Sequence, residues 1–282
     1  MRVFISSFFF VFLLISLTQP ILAEPSPPPV YEIKQGEVGF LTVFFDQKAS
    51  RLEGRFLGKK IFFDRISGSR NFGTLLGIDL DQGTSDQNVT DFQSGEILAT
   101  IHILPNQFGR QEIQVPGQFV NPSRRQMDRI KRDKEEIHTI LSFFSGKRRW
   151  QGNFIMPVSG TPKSTFGLRR IFNGEPRNPH TGEDIAAPEK TPVYATNDGV
   201  VAGVVNHFFS GNGIIIDHGQ GLFTEYFHLY KSEVKKGQKL KKGEEIGLVG
   251  KTGRATGPHL HWGMMINGAR VNPLSVVHLK LE

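Results

Sequence analysis

GPHLHWG, residues 257–263, sets two histidines two positions apart among small and apolar neighbours. Read as a strand, the stretch turns His259 and His261 to one face, because side chains alternate with a period of two. Such a pair is also what the polar face of any strand looks like, so its meaning depends on what the rest of the chain supplies. From Trp150 onward glycine is frequent, strands are short and no helical pattern of useful length appears. VKKGQKLKKGEEIGLVG (234–250) reads as two short strands around a glycine turn. These features predict an antiparallel β domain over 150–282.

Seven of the nine histidines fall between His180 and His278. HTGED (180–184) contributes His180 and Asp184 in a glycine-containing turn, and EYFHLY (225–230) contributes His228 in an alternating aromatic strand. Four histidines and one carboxylate from three segments suit zinc, which takes nitrogen and oxygen ligands tetrahedrally and keeps one position open when catalytic. Two His and one Asp leave such an ion a formal surplus of about one positive charge, enough to ionise bound water near neutral pH. The other two histidines would then be free for base and oxyanion work. Spacing alone does not say which histidine is which.

The first half reads differently. Residues 1–23 have a basic start at Arg2, an apolar run from Phe8 to Leu17 and a small Ala23, the pattern of a cleaved secretory signal peptide. A proline-rich EPSPPPV (24–30) follows, then short strands separated by Gly, Asn, Asp and Ser turns. Residues 24–120 are expected to form an immunoglobulin-like β-sandwich. Residues 121–146 read as a linking helix, with Asn121 as cap, Pro122 at the first helical position and Gly146 closing it. Met127, Ile130, Ile137, Leu141 and Phe144 fall on one face of it. The fold class is therefore mainly β, in two domains joined by a helix.

The chain has no cysteine, which excludes disulfides, thiolate metal sites, a cysteine nucleophile and a lipidated Cys anchor. A net charge of +7 on an exported chain suits an anionic polymer or surface as partner. No basic recognition helix, zinc knuckle or basic-aromatic interleaving points to nucleic acid, and past the signal peptide no stretch is apolar enough to span a membrane.

Residues from about 154 to 277 resemble the lysostaphin-like, LytM-type zinc metallopeptidases. The resemblance rests on FGLRRIFNGEPRNPHTGEDIAAPEKTPVYATNDGVV, GNGIIIDHGQGLFTEYFHL, VKKGQKLKKGEEIGLVGKTGRATGPHLHWG and NGARVNPL, in that order. The preceding β domain and helix are similar in layout to envelope members of the family in Gram-negative bacteria. The resemblance implies zinc held by His180, Asp184 and His261, with His259 as general base and His228 as oxyanion-stabilising histidine. It further implies an exported, periplasmic or envelope endopeptidase that hydrolyses peptide cross-links of cell-wall peptidoglycan, with metal-bound water as nucleophile. The alternative is a non-catalytic peptidoglycan-binding regulator of other cell-wall hydrolases, a class that loses ligands; here all five residues are present. A regulatory protein partner fits either reading, and the N-terminal domain can inhibit, target or recruit. Arg169 and Arg170 suit an acidic substrate or a nearby carboxylate, Tyr226 suits cleft or core, and the lysines of 231–242 suit a solvated strand edge.

Overall fold

The computed structural model describes residues 27–45 and 49–281. The signal-peptide reading of residues 1–23 falls outside them. Seven strands come first: β1 (Val30–Lys34), β2 (Val38–Phe44), β3 (Arg51–Phe56), β4 (Lys59–Arg65), β5 (Asn71–Gly77), β6 (Gln87–Asp91) and β7 (Ile97–Leu104). RLEGRFLGKKIFF folds as the β3–β4 hairpin, because Leu57 (φ 47°) and Gly58 (φ 75°) both take the left-handed conformation that tight hairpins need. The hydrogen-bonded order is one continuous path, β1-β7-β6-β3-β4-β5-β2, where an immunoglobulin-like sandwich has two separate sheets. The joins β3–β6 and β4–β5 are short, and residues from separate strands, among them Leu41, Phe63, Phe72 and Ile101, meet in one buried core.

The remainder holds β8 (Arg110–Ile113), α1 (Arg124–Leu141), β9 (Thr161–Pro162), β10 (Arg169–Phe172), β11 (Glu175–Pro176), β12 (Gly182–Ala186), β13 (Pro192–Tyr194) and β14 (Gly199–His207). After them come β15 (Gly211–Gly219), β16 (Leu222–Ser232), β17 (Lys239–Leu240), β18 (Glu245–Val249), β19 (His259–Ile266), β20 (Ala269–Val271) and α2 (Pro273–Val277). An antiparallel sheet runs β17-β14-β15-β16-β19-β12-β9, with β13, β18 and β20 attached. Its core packs Ile214, Ile216, Tyr226, Leu260 and Trp262, all fully buried. Strands β17 and β18 flank the Gly243 turn as expected but do not pair with each other. Strand β17 joins β14, and β18 joins β13 and β16.

Strand β8 belongs to neither expected sheet. It pairs in parallel with β10, so the chain leaving the first domain is stitched to the segment that carries Arg170. Helix α1 starts later than its sequence suggests. Ser123, not Asn121, is the N-cap: its hydroxyl accepts from the Gln126 N–H while the Gln126 side chain accepts from the Ser123 N–H at 2.8 Å. This reciprocal pair satisfies two otherwise orphaned donors, which a cap at Asn121 would leave open. Ile130 is buried, and Ile137, Ile140 and Leu141 lie on Val205, Ile215, Phe223, Phe227 and Met265. Met127 and Phe144, placed on the same stripe, are exposed. Among the described residues no helix is long and apolar enough to cross a membrane.

His218 sits on β15 with no exposed surface, Nδ1 against the Asp198 carbonyl and Nε2 against Thr224 Oγ1, each at 2.7 Å. Burial pushes its pKa down from 6.5 to about 4, so the unfolded chain binds the proton more readily between those values. Stability is therefore lost as pH falls through that window, by on the order of 2 kcal/mol between pH 6.5 and 5 for this one group. Denaturant midpoints at pH 7 and pH 5 check this. The drop is expected to shrink in His218→Gln, and an unchanged drop would exclude His218 as a source.

Candidate metal centre and active site

The register of β12 against β19 builds the centre. Asp184 lies opposite His261, and Ala186 opposite His259, so one carboxylate and two imidazoles share a face. His180 is delivered by the turn before β12, held by His180 N–H to the Leu168 carbonyl at 3.0 Å and Gly167 N–H to the His180 carbonyl at 2.8 Å. Its Nδ1 donates to the Thr165 carbonyl at 3.1 Å, which leaves Nε2 bare. That Nε2 is 2.8 Å from His261 Nδ1 and 3.2 Å from Asp184 Oδ1, and His261 Nδ1 is 3.1 Å from the same oxygen. Gly182 makes room for this cluster, since a Cβ there would fall 2.5 Å from His261 Nε2.

His228 reaches the site through a backbone break. It has φ 63°, a conformation that side chains with a Cβ rarely take and that functional sites sustain at a cost. The break falls where β16 leaves β19, after Phe227 opposite His261, and takes up β18, at Leu229 opposite Val249. As a result the neighbours Phe227 and His228 both line the cleft, which strict alternation forbids. Tyr226 belongs to the core instead, its hydroxyl bonded to Thr196 and Thr224. His228 Nδ1 donates to the Thr252 carbonyl at 2.7 Å and His259 Nδ1 to the Gly257 carbonyl at 2.9 Å, so both rings present a bare Nε2. Their ring centroids are 4.8 Å apart, and His259 Nε2 is 3.7 Å from Asp184 Oδ1.

Electrostatics keep Asp184, His180 and His228 as lone-pair donors. Burial opposes ionisation of Asp184, but its close contacts with His180 and His261 outweigh it and hold the carboxyl well below the usual range. Its other oxygen accepts from Arg170 Nη2 at 3.0 Å. Burial pushes His180 down to about 4. His228 goes down to about 3, through burial and then repulsion from His261 and His259. Two imidazoles and a carboxylate aimed at one point fit a divalent cation of borderline character such as zinc. His180, Asp184 and His261 form a candidate metal site, their donor atoms all within 4.8 Å of one another.

Sequence reading passed over Glu183. Alternation turns it to the opposite face of β12 from Asp184, and it is fully buried there. Its carboxylate accepts the backbone N–H groups of Ser164, Thr165 and Phe166 at 2.6, 2.9 and 3.2 Å. Thr165 in turn orients His180 through its carbonyl and accepts the Asp184 N–H at 2.9 Å through its hydroxyl. A carboxylate on the buried face of a strand was the available signal. Glu183→Gln removes one charged acceptor from this loop and is expected to weaken metal affinity about 10- to 100-fold. Competition with a chelator measures it, and unchanged affinity would make Glu183 a packing residue only.

Other charged and histidine side chains lie elsewhere. Arg169 pairs with Asp81 at 3.2 Å, His102 with Asp86 at 2.7 Å, and buried His207 with Glu136 of α1 at 3.0 Å. Lys231 and Lys241 pair with Glu233 and Asp198.

Residues 178–273, which contain the whole cluster, match the model of peptidase family M23. The chain carries a family M23 peptidase domain. Over 112 residues the chain is 48% identical to peptidoglycan DD-endopeptidase ShyA of Vibrio cholerae, covering 39% of this chain and 26% of that protein. Over 97 residues it is 48% identical to DD-carboxypeptidase/endopeptidase Mpg of Neisseria meningitidis, covering 34% and 22%. It thus spans about a quarter of the length of these curated relatives. A crystal structure of a peptidase M23 from Pseudomonas aeruginosa superposes with a TM-score of 0.68 at 29% identity, over 85% of this chain and 93% of that one. That coverage carries the likeness beyond the M23 domain into the N-terminal sheet.

Proposed function

We propose that the chain is an exported zinc endopeptidase that hydrolyses peptide cross-links of bacterial peptidoglycan. The carrying observation is the convergence of His180, Asp184 and His261 donor atoms at one point, with His228 and His259 beside them and a cleft lined by His180, His228 and His261. The substrate class follows the names of the M23 relatives, and an envelope location follows from that substrate. Domain limits near residues 24–120, 121–146 and 150–282 belong to the same reading.

His180 Nε2, Asp184 Oδ1 and His261 Nδ1 would hold the metal. When bound, zinc supplies a Lewis acid and brings water towards ionisation near neutral pH. The residues do the rest. Asp184 brings negative charge to the cluster, and Arg170 fixes its rotamer. His259, held at Nδ1 by the Gly257 carbonyl, offers Nε2 as the base that takes up a proton. His228 is neutral at rest and becomes an oxyanion donor only once Nε2 is protonated; its contact with His259 places it to share that proton. The complete residue set argues against a purely regulatory module.

Purified cross-linked muropeptide dimers test this reading. Incubation with the zinc-loaded chain is expected to give monomers of dimer mass plus one water, divided between two products. Intact dimers after prolonged incubation with the metal-loaded chain would favour the regulatory alternative.

A further inference from the structure

The geometry points to Arg254 as a carboxylate-binding residue of the cleft, taking a free carboxylate of a peptide substrate beside the metal site. This rests on the peptidase reading above. Arg254 lies in the connection from β18 to β19, shortly before His259, and its own N–H donates to the Phe209 carbonyl at 2.8 Å. Its guanidinium is half-buried between the rings of Phe172 and Phe209, 4.5 and 4.6 Å from their centroids. It lines the same cleft, of about 210 Å³, as His180, His228 and His261.

Among the described residues no carboxylate pairs with it, and the acids paired with the neighbouring arginines are already taken. Asp184 is bonded by Arg170 at 3.0 Å, Glu175 by Arg177 at 2.6 Å, and buried Glu225 by Arg270. The charges that do reach Arg254 are those of Arg170 and Arg177, both positive. Burial first, then these two neighbours, lower its pKa to about 10, so it stays a cation at neutral pH. The Nε atoms of Arg170 and Arg177 are themselves buried without a partner. A half-buried cation flanked by cations is poorly stabilised, and an anion entering the cleft would relieve the repulsion while using the planar fork that guanidinium offers carboxylates. Stacking between two rings fixes that fork before substrate arrives, so little side-chain freedom is lost on binding.

The test uses the full chain, loaded with zinc, and two probes: a cross-linked peptide dimer with its free carboxylates, and the same dimer amidated at each of them. The wild-type chain is expected to favour the free dimer about 10- to 100-fold in both Kd and kcat/KM, the scale of one charge-assisted hydrogen-bonded pair. In Arg254→Gln that preference should collapse towards one, mostly through KM, and Arg254→Lys should recover part of it. A wild-type chain that treats both dimers alike would overturn the proposal, as would an Arg254→Gln chain that keeps the preference. If neither dimer is cut, the endopeptidase reading fails on its own. Calorimetric Kd values for the two dimers still decide the subsite.

Discussion

The His261→Ala chain is expected to emerge from purification without metal and to leave peptidoglycan cross-links intact. His261 occupies the middle of the cluster, with Nδ1 2.8 Å from His180 and 3.1 Å from Asp184. Its removal leaves two donors that cannot by themselves hold a tetrahedral ion with one position open. Polarisation by a bound metal supplies several kcal/mol of transition-state stabilisation, so a loss of about 10³-fold or more in kcat/KM follows. Asp184→Asn should approach the same loss by another route. The amide has the carboxylate's shape without its charge, and the Arg170 guanidinium, only 14% exposed at its side chain, loses its counter-ion. Metal analysis of the purified variants beside their turnover separates these cases. A His261→Ala chain that retains both one metal per chain and its activity would remove the cluster from the mechanism.

The second large effect divides binding from chemistry. His259→Ala and His228→Ala are expected to keep the metal and lose about 10²- to 10⁴-fold in kcat, the range of a positioned acid or base. The expectation follows from their tethers. Both rings are oriented by backbone carbonyls, at Gly257 and Thr252, and the three candidate donors already converge without them. The double variant should lose little more than the worse single one, since residues that act as a unit are not additive. Metal content that falls with either substitution would turn that histidine into a ligand instead.

Much of the site was readable because its residues come from short segments whose spacing has direct geometric meaning. His259 and His261 share a face by strand alternation alone, and the antiparallel register brings Asp184 opposite His261. Alternation also hid two things. It places Tyr226 and His228 together, whereas the left-handed residue at His228 separates them and brings Phe227 into the cleft. It sends Glu183 away from the candidate metal cluster, although the loop that folds back onto its carboxylate makes it a support for His180. Neither a single positive φ nor a long-range loop contact leaves a periodic trace. The same holds for β8, whose four residues read as one more N-terminal strand and whose parallel partner, β10, lies beyond the helix. Arg254 was invisible for a further reason: its isolation among cations exists only once Arg170 and Arg177 are folded beside it.

Digestion of purified sacculi by the purified chain, with zinc, with chelator, and with zinc restored after chelation, tests the central claim most directly. Release of un-cross-linked peptides that stops with chelator and returns with zinc is the expected result. Release that ignores the chelator, or none in the zinc-loaded sample, would contradict a metal-dependent endopeptidase built on His180, Asp184 and His261.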